Sequence, residues 1–226
     1  MTETKKLRHL GVIADGNRRW AREHGLPTLE GHKKGLSSIK ALVRAAAGTE
    51  IEYITFYVFS TENWGRSADE VSYIMQLAEQ RILKYAEELA ENNARLLVLG
   101  SHDRLSPKLA SVIEKAEKIT ADCTGITVCF CFNYGGEQEI ADAAAAAAKK
   151  GDITPETIRQ NLYHPEVPDI DMVVRTSGEE RVSGFMLWRI AYSEMMFVKK
   201  YFPEMGESDI ADIIAEYGRR NRRFGK

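Results

Sequence analysis

Asp15 is the residue of this sequence whose surroundings most clearly suggest chemistry. It ends a short apolar run and is followed by two small residues, Gly16 and Asn17, and two arginines, Arg18 and Arg19. The apolar run predicts a buried strand, the small residues predict a tight turn, and the residues beyond can open a helix whose N-terminus binds phosphate groups. A carboxylate in such a place is explained chiefly as a ligand for Mg²⁺ shared with phosphate oxygens. The stretch predicts a magnesium diphosphate site, although strands also end on aspartate for turn geometry alone.

Polar, turn-forming residues also follow three other predicted strands, in segments 60–64, 133–136 and 175–178. Ligands of open α/β sheets bind beyond the carboxyl ends of the strands, so we expect these segments to meet Asp15 there. A single polar strand end is ordinary turn chemistry. Four together favour a binding site.

Helices and strands alternate along the chain, which predicts an α/β fold. We expect a single domain with a mostly parallel central β-sheet of about six strands, flanked by helices on both faces. The predicted strands are 9–14, 51–59, 95–100, 126–132, 171–175 and 194–198, and the predicted helices are 35–47, 69–92, 106–121 and 137–150.

Composition limits the class of protein. The 226 residues are 44% hydrophobic, which suits one domain over residues 1–226, with the polar segment 1–8 expected to be flexible. The formal charge of −2 does not favour a nucleic-acid partner. No apolar stretch approaches the roughly 18 residues needed to span a bilayer, so we expect a cytoplasmic protein.

Two smaller features have ordinary explanations. Cys129 and Cys131 lie two apart in an apolar run and are expected to share a strand face as small apolar side chains rather than to bind metal. The basic cluster 219–225 in a helix-like tail is short and has one aromatic residue, so it supports nucleic-acid or membrane binding only weakly.

Five ordered motifs carry a resemblance that covers most of the chain. They are 9–20, 31–35, 57–64, 133–136, and 175–179 continuing through 181–183 to Trp188 and Glu194. Together they resemble the cis-prenyltransferase family, whose familiar bacterial member is undecaprenyl diphosphate synthase. The resemblance implies that family's fold and the Mg²⁺-dependent condensation of isopentenyl diphosphate with an allylic diphosphate, usually farnesyl diphosphate, to form cis double bonds. The Asp-Asp-x-x-Asp motif of the all-helical trans-prenyltransferases is absent from the sequence.

The resemblance also implies individual roles. Asp15 would be the essential carboxylate that handles magnesium diphosphate, and Glu194 would complete the metal environment. His32 would donate a hydrogen bond or a proton to the departing diphosphate. Asn63 would lie near the proton lost from isopentenyl diphosphate, where positioning, relay to diphosphate and direct abstraction all stay open. The other implied substrate-binding residues are Gly16, Asn17, Arg18, Arg19 and Trp20 for the allylic diphosphate, Ser60, Thr61, Glu62, Trp64 and Arg66 beside Asn63, and Arg175, Arg181, Val182 and Ser183 for the second diphosphate.

Some positions depart from the family pattern. Thr28 stands where many members carry another arginine, so the allylic diphosphate site is expected either to be weaker or to be supplemented by Arg22 or Lys33. Ala14 and Glu137 also differ from the residues usual at their places. None of these departures removes a residue that the chemistry requires.

Product length is expected to depend on the depth of an apolar tunnel. Val58, with Ile126 and Phe130, could shorten this tunnel or could equally be ordinary strand core, and a shift of helix 74–89 could compensate. The family favours a long product, undecaprenyl diphosphate for the cell-wall lipid carrier. A medium- or short-chain cis-prenyl product is the alternative.

The resemblance implies a homodimer and transient contact with the inner membrane surface for release of a long product. Apolar residues that could form the dimer interface, and that core packing explains equally well, are Phe185, Trp188, Ile190, Tyr192 and 195–197.

Two other functions compete with prenyl transfer. A phosphohydrolase could use Asp15 as its nucleophile, but that leaves Asn63 and the second diphosphate clamp unexplained, and no second aspartate follows two residues later. A non-catalytic accessory subunit would typically lack Asp15 and the first-loop motif.

Overall fold

The computed structural model describes residues 6–220, which form one six-stranded sheet flanked by helices. The strand order is β3-β4-β2-β1-β5-β6, and every neighbouring pair is parallel. The predicted fold class is confirmed. The strands are β1 (His9–Ile13), β2 (Tyr53–Ser60), β3 (Arg95–Leu99), β4 (Thr127–Tyr134), β5 (Met172–Arg175) and β6 (Glu194–Phe197).

Seven helices lie within the described residues. The structure adds two that the sequence did not predict, α6 and α7, and it begins the second helix seven residues earlier than predicted. The helices are α1 (Asn17–Glu23), α2 (Thr28–Ala47), α3 (Ala68–Glu91), α4 (Pro107–Ile119), α5 (Gly136–Lys150), α6 (Pro155–Arg159) and α7 (Glu207–Arg219). None of the helices in residues 6–220 is both long enough and apolar enough to cross a membrane.

The early start of α2 has a packing cause. Gly31 weakens the helical pattern of the sequence, but a Cβ atom there would stand 2.1 Å from the backbone oxygen of Asn17. The missing side chain lets α1 and α2 lie directly against each other. The two helices together hold the segment that follows β1.

Two apolar layers enclose the sheet. The larger packs α2, α3, α4 and α7 against one face, and the smaller covers the other face around Phe185 and Val173. Strands β1 and β4 are buried along their whole length, as expected for central strands of a parallel sheet. Cys129 and Cys131 are fully buried in the smaller layer, and burial raises the pKa of both thiols, in agreement with their apolar interpretation.

The segment 1–8, predicted to be flexible, is partly fixed. Residues 1–5 lie outside the described residues, but Leu7 is buried in the larger core and Arg8 forms an ion pair with Glu52. The backbone N–H of Arg8 also donates to Asp171. The expectation is therefore wrong for Leu7 and Arg8, because an apolar residue among charged neighbours docks the chain before β1 begins. Of the basic cluster 219–225, residues 221–225 lie outside the described residues.

Candidate active site

A cleft opens at the carboxyl ends of β1, β2 and β5, where the sequence predicts ligand binding. Its walls come from the segments after these strands and from the first turns of α1 and α2. Arg22 and Thr28 also line it, whereas Lys33 does not. The predicted residues that line it are Asp15, Gly16, Asn17, Arg18, Arg19, His32, Ser60, Asn63, Arg66, Arg175 and Ser183.

Asp15 is held between two guanidinium groups. Its Oδ2 lies 3.0 Å from Nη2 of Arg175, and its Oδ1 lies 3.3 Å from Nη2 of Arg19. Burial opposes ionisation of Asp15, but the hydrogen bond and charge of Arg175, with the charge of Arg19, outweigh it and lower the pKa of the carboxyl group. The hydroxyl of Thr176 accepts from the backbone N–H of Asp15 and donates to its carbonyl, at 2.9 and 2.6 Å. The cleft therefore presents an ionised carboxylate on a fixed backbone.

Arg175 has unused hydrogen-bonding capacity at the base of the cleft. One of its terminal nitrogens donates to the hydroxyl of Ser183 at 2.7 Å and to the carbonyl of Arg181. Its Nε is buried with no partner among the described residues, and so is the side-chain oxygen of Asn17. Buried polar atoms are nearly always paired, and two of the unpaired ones among the described residues lie beside this cleft.

Arg19 ties the first turn of α1 to the segment after β5. Its guanidinium donates to Glu179 at 2.9 Å and to the hydroxyl of Ser177. The close approach depends on Gly16, which has φ of 102° and whose Cβ atom would lie 2.6 Å from the ring of Tyr201. A side chain at Gly16 would push the two walls of the cleft apart.

Glu70, to which the sequence analysis gave no role, joins three walls of the cleft. Its carboxylate lies 3.2 Å from Nε2 of His32, 3.0 Å from Arg66 and 3.7 Å from Arg18. Burial lowers the pKa of His32 and the charge of Glu70 only partly offsets it, so His32 is neutral at pH 7. Glu70 also stands three residues after Ser67, whose hydroxyl caps α3. In the sequence, Glu70 therefore resembles a residue of a helix cap, and its contacts with His32, Arg66 and Arg18 are visible only in the structure.

Asn63 is positioned by the turn that follows β2. Residues Thr61–Gly65 form a 3₁₀ turn, and the side-chain oxygen of Asn63 accepts from the backbone N–H of Ser60 at 3.2 Å. This bond fixes the amide group at the edge of the cleft, beside Arg66.

Six other predicted binding residues do not line this cleft. Trp20 stacks on His24, and Trp64 donates to Asn133 and carries the guanidinium of Arg104 over its ring. Arg181 is 62% exposed and pairs with Glu179. The remaining three are Thr61, Glu62 and Val182.

Glu194, predicted to share the metal with Asp15, is the clearest misplacement. It is the first residue of β6 and pairs with Met172, whereas the cleft lies beyond Arg175 at the other end of these strands. Its carboxylate faces Arg220 at 3.5 Å. Within one chain Glu194 and Asp15 cannot hold the same ion, because three strand residues, about 10 Å, separate it from the level of Arg175.

Asp15 is the one carboxylate among the described residues that line the cleft. No group of three or more His, Cys, Asp or Glu side chains stands ready to bind a metal within residues 6–220. Mg²⁺ commonly takes one or two carboxylates and completes its shell with water and substrate phosphates. The cleft fits that arrangement, with Asp15 as the protein ligand.

An apolar cavity opens directly from the cleft and runs between the sheet and helices α2 and α3. The two spaces share the residues Ala14, Asn17, His32, Tyr57 and Val58. Deeper in, the lining is almost entirely aliphatic and aromatic. Of the residues predicted to limit a tunnel, Val58 and Phe130 line this cavity, and Ile126 does not.

Tyr57 has a positioning role that its sequence motif did not reveal. Its hydroxyl lies 3.3 Å from the backbone carbonyl of Ser183 and 3.2 Å from that of Tyr134. The first contact supports the loop that carries Ser183, whose φ is 49°. Both contacts are to backbone carbonyls, so the side chains of Tyr134 and Ser183 give no sign of them. The role of Tyr57 therefore follows from the fold and could not be predicted from the sequence.

The predicted dimer residues divide by burial. Phe185 and Ile190 are buried within the chain, which contradicts their assignment to an interface. Tyr192 is 76% exposed and Phe197 is 37% exposed, beside the edge strand β6. These two remain candidates for a contact with a second copy.

Comparison with known proteins finds relatives along nearly the whole chain. Residues 13–225 match a family model described as "Putative undecaprenyl diphosphate synthase". An isoprenyl transferase of Rickettsia bellii is 40% identical over 222 residues, covering 97% of this chain and 98% of that protein.

Two solved structures are also similar along the whole chain. Lavandulyl diphosphate synthase from Lavandula x intermedia, in complex with dimethylallyl diphosphate, has a TM-score of 0.92 and 32% identity, covering 97% of this chain and 98% of that one. A "probable undecaprenyl diphosphate synthase" from Campylobacter jejuni has a TM-score of 0.85 and 31% identity, covering 98% and 100%.

Proposed function

Since this chain belongs to the undecaprenyl diphosphate synthase family of prenyltransferases, we propose that it condenses isopentenyl diphosphate with farnesyl diphosphate in the cis configuration. The observation that carries the proposal is the continuity of two unlike spaces. A cleft with an ionised carboxylate and several guanidinium groups opens directly into an apolar cavity. A ligand with a diphosphate head and an isoprenoid tail matches both.

The polar and cationic groups of the cleft divide into two sets that suit two diphosphates. Arg18, Arg19 and His32 line the cleft on α1 and α2 and would bind the allylic diphosphate; of the three, His32 also lines the cavity. Arg175 and Ser183 lie across the cleft and would bind isopentenyl diphosphate, with guanidinium fork geometry suited to phosphate oxygens. Arg181 would join them only by turning away from Glu179.

The proposed cofactor is Mg²⁺, held by Asp15 and diphosphate oxygens. When bound, Mg²⁺ neutralises negative charge on the diphosphate. Asp15 suits this role because its pKa is lowered, so that it is ionised at neutral pH. Arg175 and Arg19 hold the carboxylate at the edge of the cleft.

The reaction breaks the allylic C–O bond and forms a C–C bond to isopentenyl diphosphate, which then loses one proton. The leaving diphosphate carries the electron pair of the broken bond, and Arg18 and Arg19 can stabilise it as hydrogen-bond donors, whereas the single N–H of neutral His32 is directed at Glu70. Asn63 is fixed near the second substrate by its bond to Ser60. An amide is a poor base, so we assign it positioning of the proton, which a diphosphate oxygen can accept.

For the product we propose a polyprenyl diphosphate of undecaprenyl type, the lipid carrier of cell-wall synthesis, as favoured by the family. A medium- or short-chain product is the second candidate, favoured by the presence of Val58 and Phe130 in the cavity lining. We further propose a homodimer formed by the exposed edge near Tyr192, and transient contact with the membrane surface when a long product leaves.

The proposal is tested with the purified chain, Mg²⁺, farnesyl diphosphate and labelled isopentenyl diphosphate. We expect label to enter cis-polyprenyl products, and chelation of Mg²⁺ to stop incorporation. Asp15→Ala is expected to lower turnover at least a hundredfold, on the order of the loss of one preorganised electrostatic group, with an unchanged circular dichroism spectrum. Wild-type turnover in this folded variant would overturn the role of Asp15.

The same preparation separates the competing functions. Release of phosphate from a generic phosphomonoester, with no incorporation of label, would instead support a phosphohydrolase. Absence of both activities would support an accessory subunit.

A further inference from the structure

The side chain of Asn133 joins the segments that follow three neighbouring strands. Asn133 is 2% exposed and lies near the end of β4. Its side-chain nitrogen donates to the backbone carbonyls of Ser101 at 2.7 Å and Asp103 at 2.6 Å, both beyond β3. Its side-chain oxygen accepts from Nε1 of Trp64 at 2.7 Å, in the turn after β2. An amide has two N–H donors, so both are used here, and the oxygen is used as well.

The backbone at this junction is held in an uncommon conformation. Asn133 has φ of 50°, and Arg104, in the loop after β3, has φ of 67°. Residues other than glycine rarely adopt this left-handed conformation, and arginine lacks the short polar side chain that favours it in asparagine. Such conformations persist where surrounding contacts impose them, and they are concentrated at functional sites. The contacts around Asn133 therefore maintain a geometry that the local sequence does not prefer.

Trp64 is held by Asn133 at its edge and by Arg104 on its face. The guanidinium carbon of Arg104 lies 4.5 Å from the centroid of the Trp64 ring, within the range of a cation–π contact. The ring of Phe59 meets that of Trp64 edge to face, with centroids 5.4 Å apart. Trp64 does not line the cleft, so these contacts make its ring a support of the turn after β2.

Asn63, the residue before Trp64, depends on this support. Among the described residues, its side chain forms one hydrogen bond, from the backbone N–H of Ser60 at 3.2 Å. The turn is fixed more firmly on either side of Asn63. Trp64 is bonded to Asn133 at 2.7 Å, and Arg66 is bonded to Glu70 at 3.0 Å. The position of Asn63 in the cleft is thus set chiefly by its neighbours.

From these contacts we propose that Asn133 is a positioning residue for prenyl transfer, which acts through Trp64 to place Asn63 beside the proton that isopentenyl diphosphate loses. The inference rests on the proposed function. Asn133 does not line the cleft. It fixes Trp64 to the loop after β3, and Trp64 fixes the turn that carries Asn63. Loop 101–104 lines neither the cleft nor the apolar cavity, and it contributes to the reaction through this link.

The test compares kcat at saturating concentrations of both substrates. Trp64→Phe keeps an aromatic ring but removes the N–H, and it is expected to lower kcat roughly 2- to 10-fold, the effect of one lost hydrogen bond. Asn133→Asp keeps the shape of the side chain and its tolerance of the left-handed conformation. It weakens the bonds to two carbonyls, so its effect on kcat is expected to be at least as large. The KM for farnesyl diphosphate is expected to stay unchanged in both variants, because no group of the proposed allylic site moves.

Asn93→Asp is the matched control and is expected to keep the wild-type kcat. Asn93 has φ of 53°, and its side chain bonds to Thr124, so that it joins the segments before β3 and β4. It therefore repeats the conformation and the linking role of Asn133 at the opposite end of the sheet from the cleft.

A double variant shows whether the effect passes through Asn63. If Trp64 acts by placing Asn63, then Trp64→Phe lowers kcat no further in a chain that already carries Asn63→Ala. An equal fold-decrease in both backgrounds would overturn the proposal, because the support would then act elsewhere.

The remaining outcomes separate this inference from the proposed function. No incorporation of isopentenyl diphosphate by the wild-type chain refutes prenyl transfer, and the role of Asn133 with it. An active wild type with unchanged kcat in the Trp64→Phe and Asn133→Asp variants, both folded by circular dichroism, refutes the positioning role alone. If Asn133→Asp does not fold, Trp64→Phe decides the question by itself.

Discussion

Replacing Glu70 with glutamine is expected to weaken substrate binding without unfolding the protein. Glu70 is 7% exposed and is the shared partner of Arg66, His32 and Arg18, which lie on different walls of the cleft. Glutamine keeps the shape and one acceptor oxygen but removes the negative charge. The cationic groups then repel one another and lose their common anchor.

The size of the effect follows from the contacts. A hydrogen bond to a charged group contributes about 1.5–3 kcal/mol, and the 3.0 Å bond to Arg66 is of this kind. The contact to Arg18 is longer and that side chain is 60% exposed, so solvent screening makes its share small. A loss of about 1.5–3 kcal/mol corresponds to a decrease in kcat/KM of roughly 10- to 150-fold.

Steady-state kinetics with each substrate varied in turn would measure this loss. Because the bond to Arg66 carries most of the loss, and Arg66 stands beside Asn63 on the proposed isopentenyl side, the KM for isopentenyl diphosphate is expected to rise more than that for farnesyl diphosphate. Glu87→Gln, at an exposed position of the same helix, is the control and is expected to behave as the wild type. Wild-type kinetics in a folded Glu70→Gln variant would show that the contacts of Glu70 with Arg66, His32 and Arg18 do not contribute to substrate binding.

Three further predictions concern other contacts of the site and its support. Tyr57→Phe removes a hydroxyl that supports the loop of Ser183. The loss of about 0.5–1.5 kcal/mol is expected to raise the KM for isopentenyl diphosphate roughly 2- to 10-fold and to leave the KM for the allylic substrate unchanged. An equal rise in both KM values would contradict this prediction. Arg189→Met leaves Glu139 as a fully buried charge without its ion-pair partner and is expected to lower the free energy of unfolding in urea by about 3–5 kcal/mol. A double variant that also carries Glu139→Leu is expected to regain most of this free energy. Wild-type stability of the single variant would contradict the reasoning. The pKa of Asp15 in the folded protein lies below its ordinary value of 3.8, so the ionised carboxylate stabilises the fold above that pH, and this contribution is lost as the pH falls through the folded-state pKa. Asp15→Asn is therefore expected to flatten the decrease in stability below about pH 4. An identical decrease in the variant and the wild type would refute this prediction.

The sheet could be predicted from sequence because its strands are short apolar runs with polar ends. All six lie within about two residues of their predicted bounds. Helix α2 was predicted too short, since Gly31 and Gly35 interrupt its apolar pattern, and only contact with α1 explains why glycine is there. Local periodicity reports which face is buried, but not what lies against that face.

The candidate site was predictable in part for the same reason. Asp15, Arg175 and Ser183 follow parallel strands or the loop just after one, so strand order alone brings them together. Glu194 was misplaced because a motif gives a residue's neighbours in sequence, whereas the register of β6 decides which end of the sheet it occupies. Glu70 was overlooked because its partners come from three separate elements.

The position of β1 between β2 and β5 has a consequence for how the protein is made. Asp15 leaves the ribosome 160 residues before its partner Arg175. Contacts between such distant residues are slow to form and cannot form during most of synthesis. A nascent chain therefore has only Arg19 available to pair with Asp15 until β5 is inserted beside β1, and the cleft is complete only at that late stage of folding.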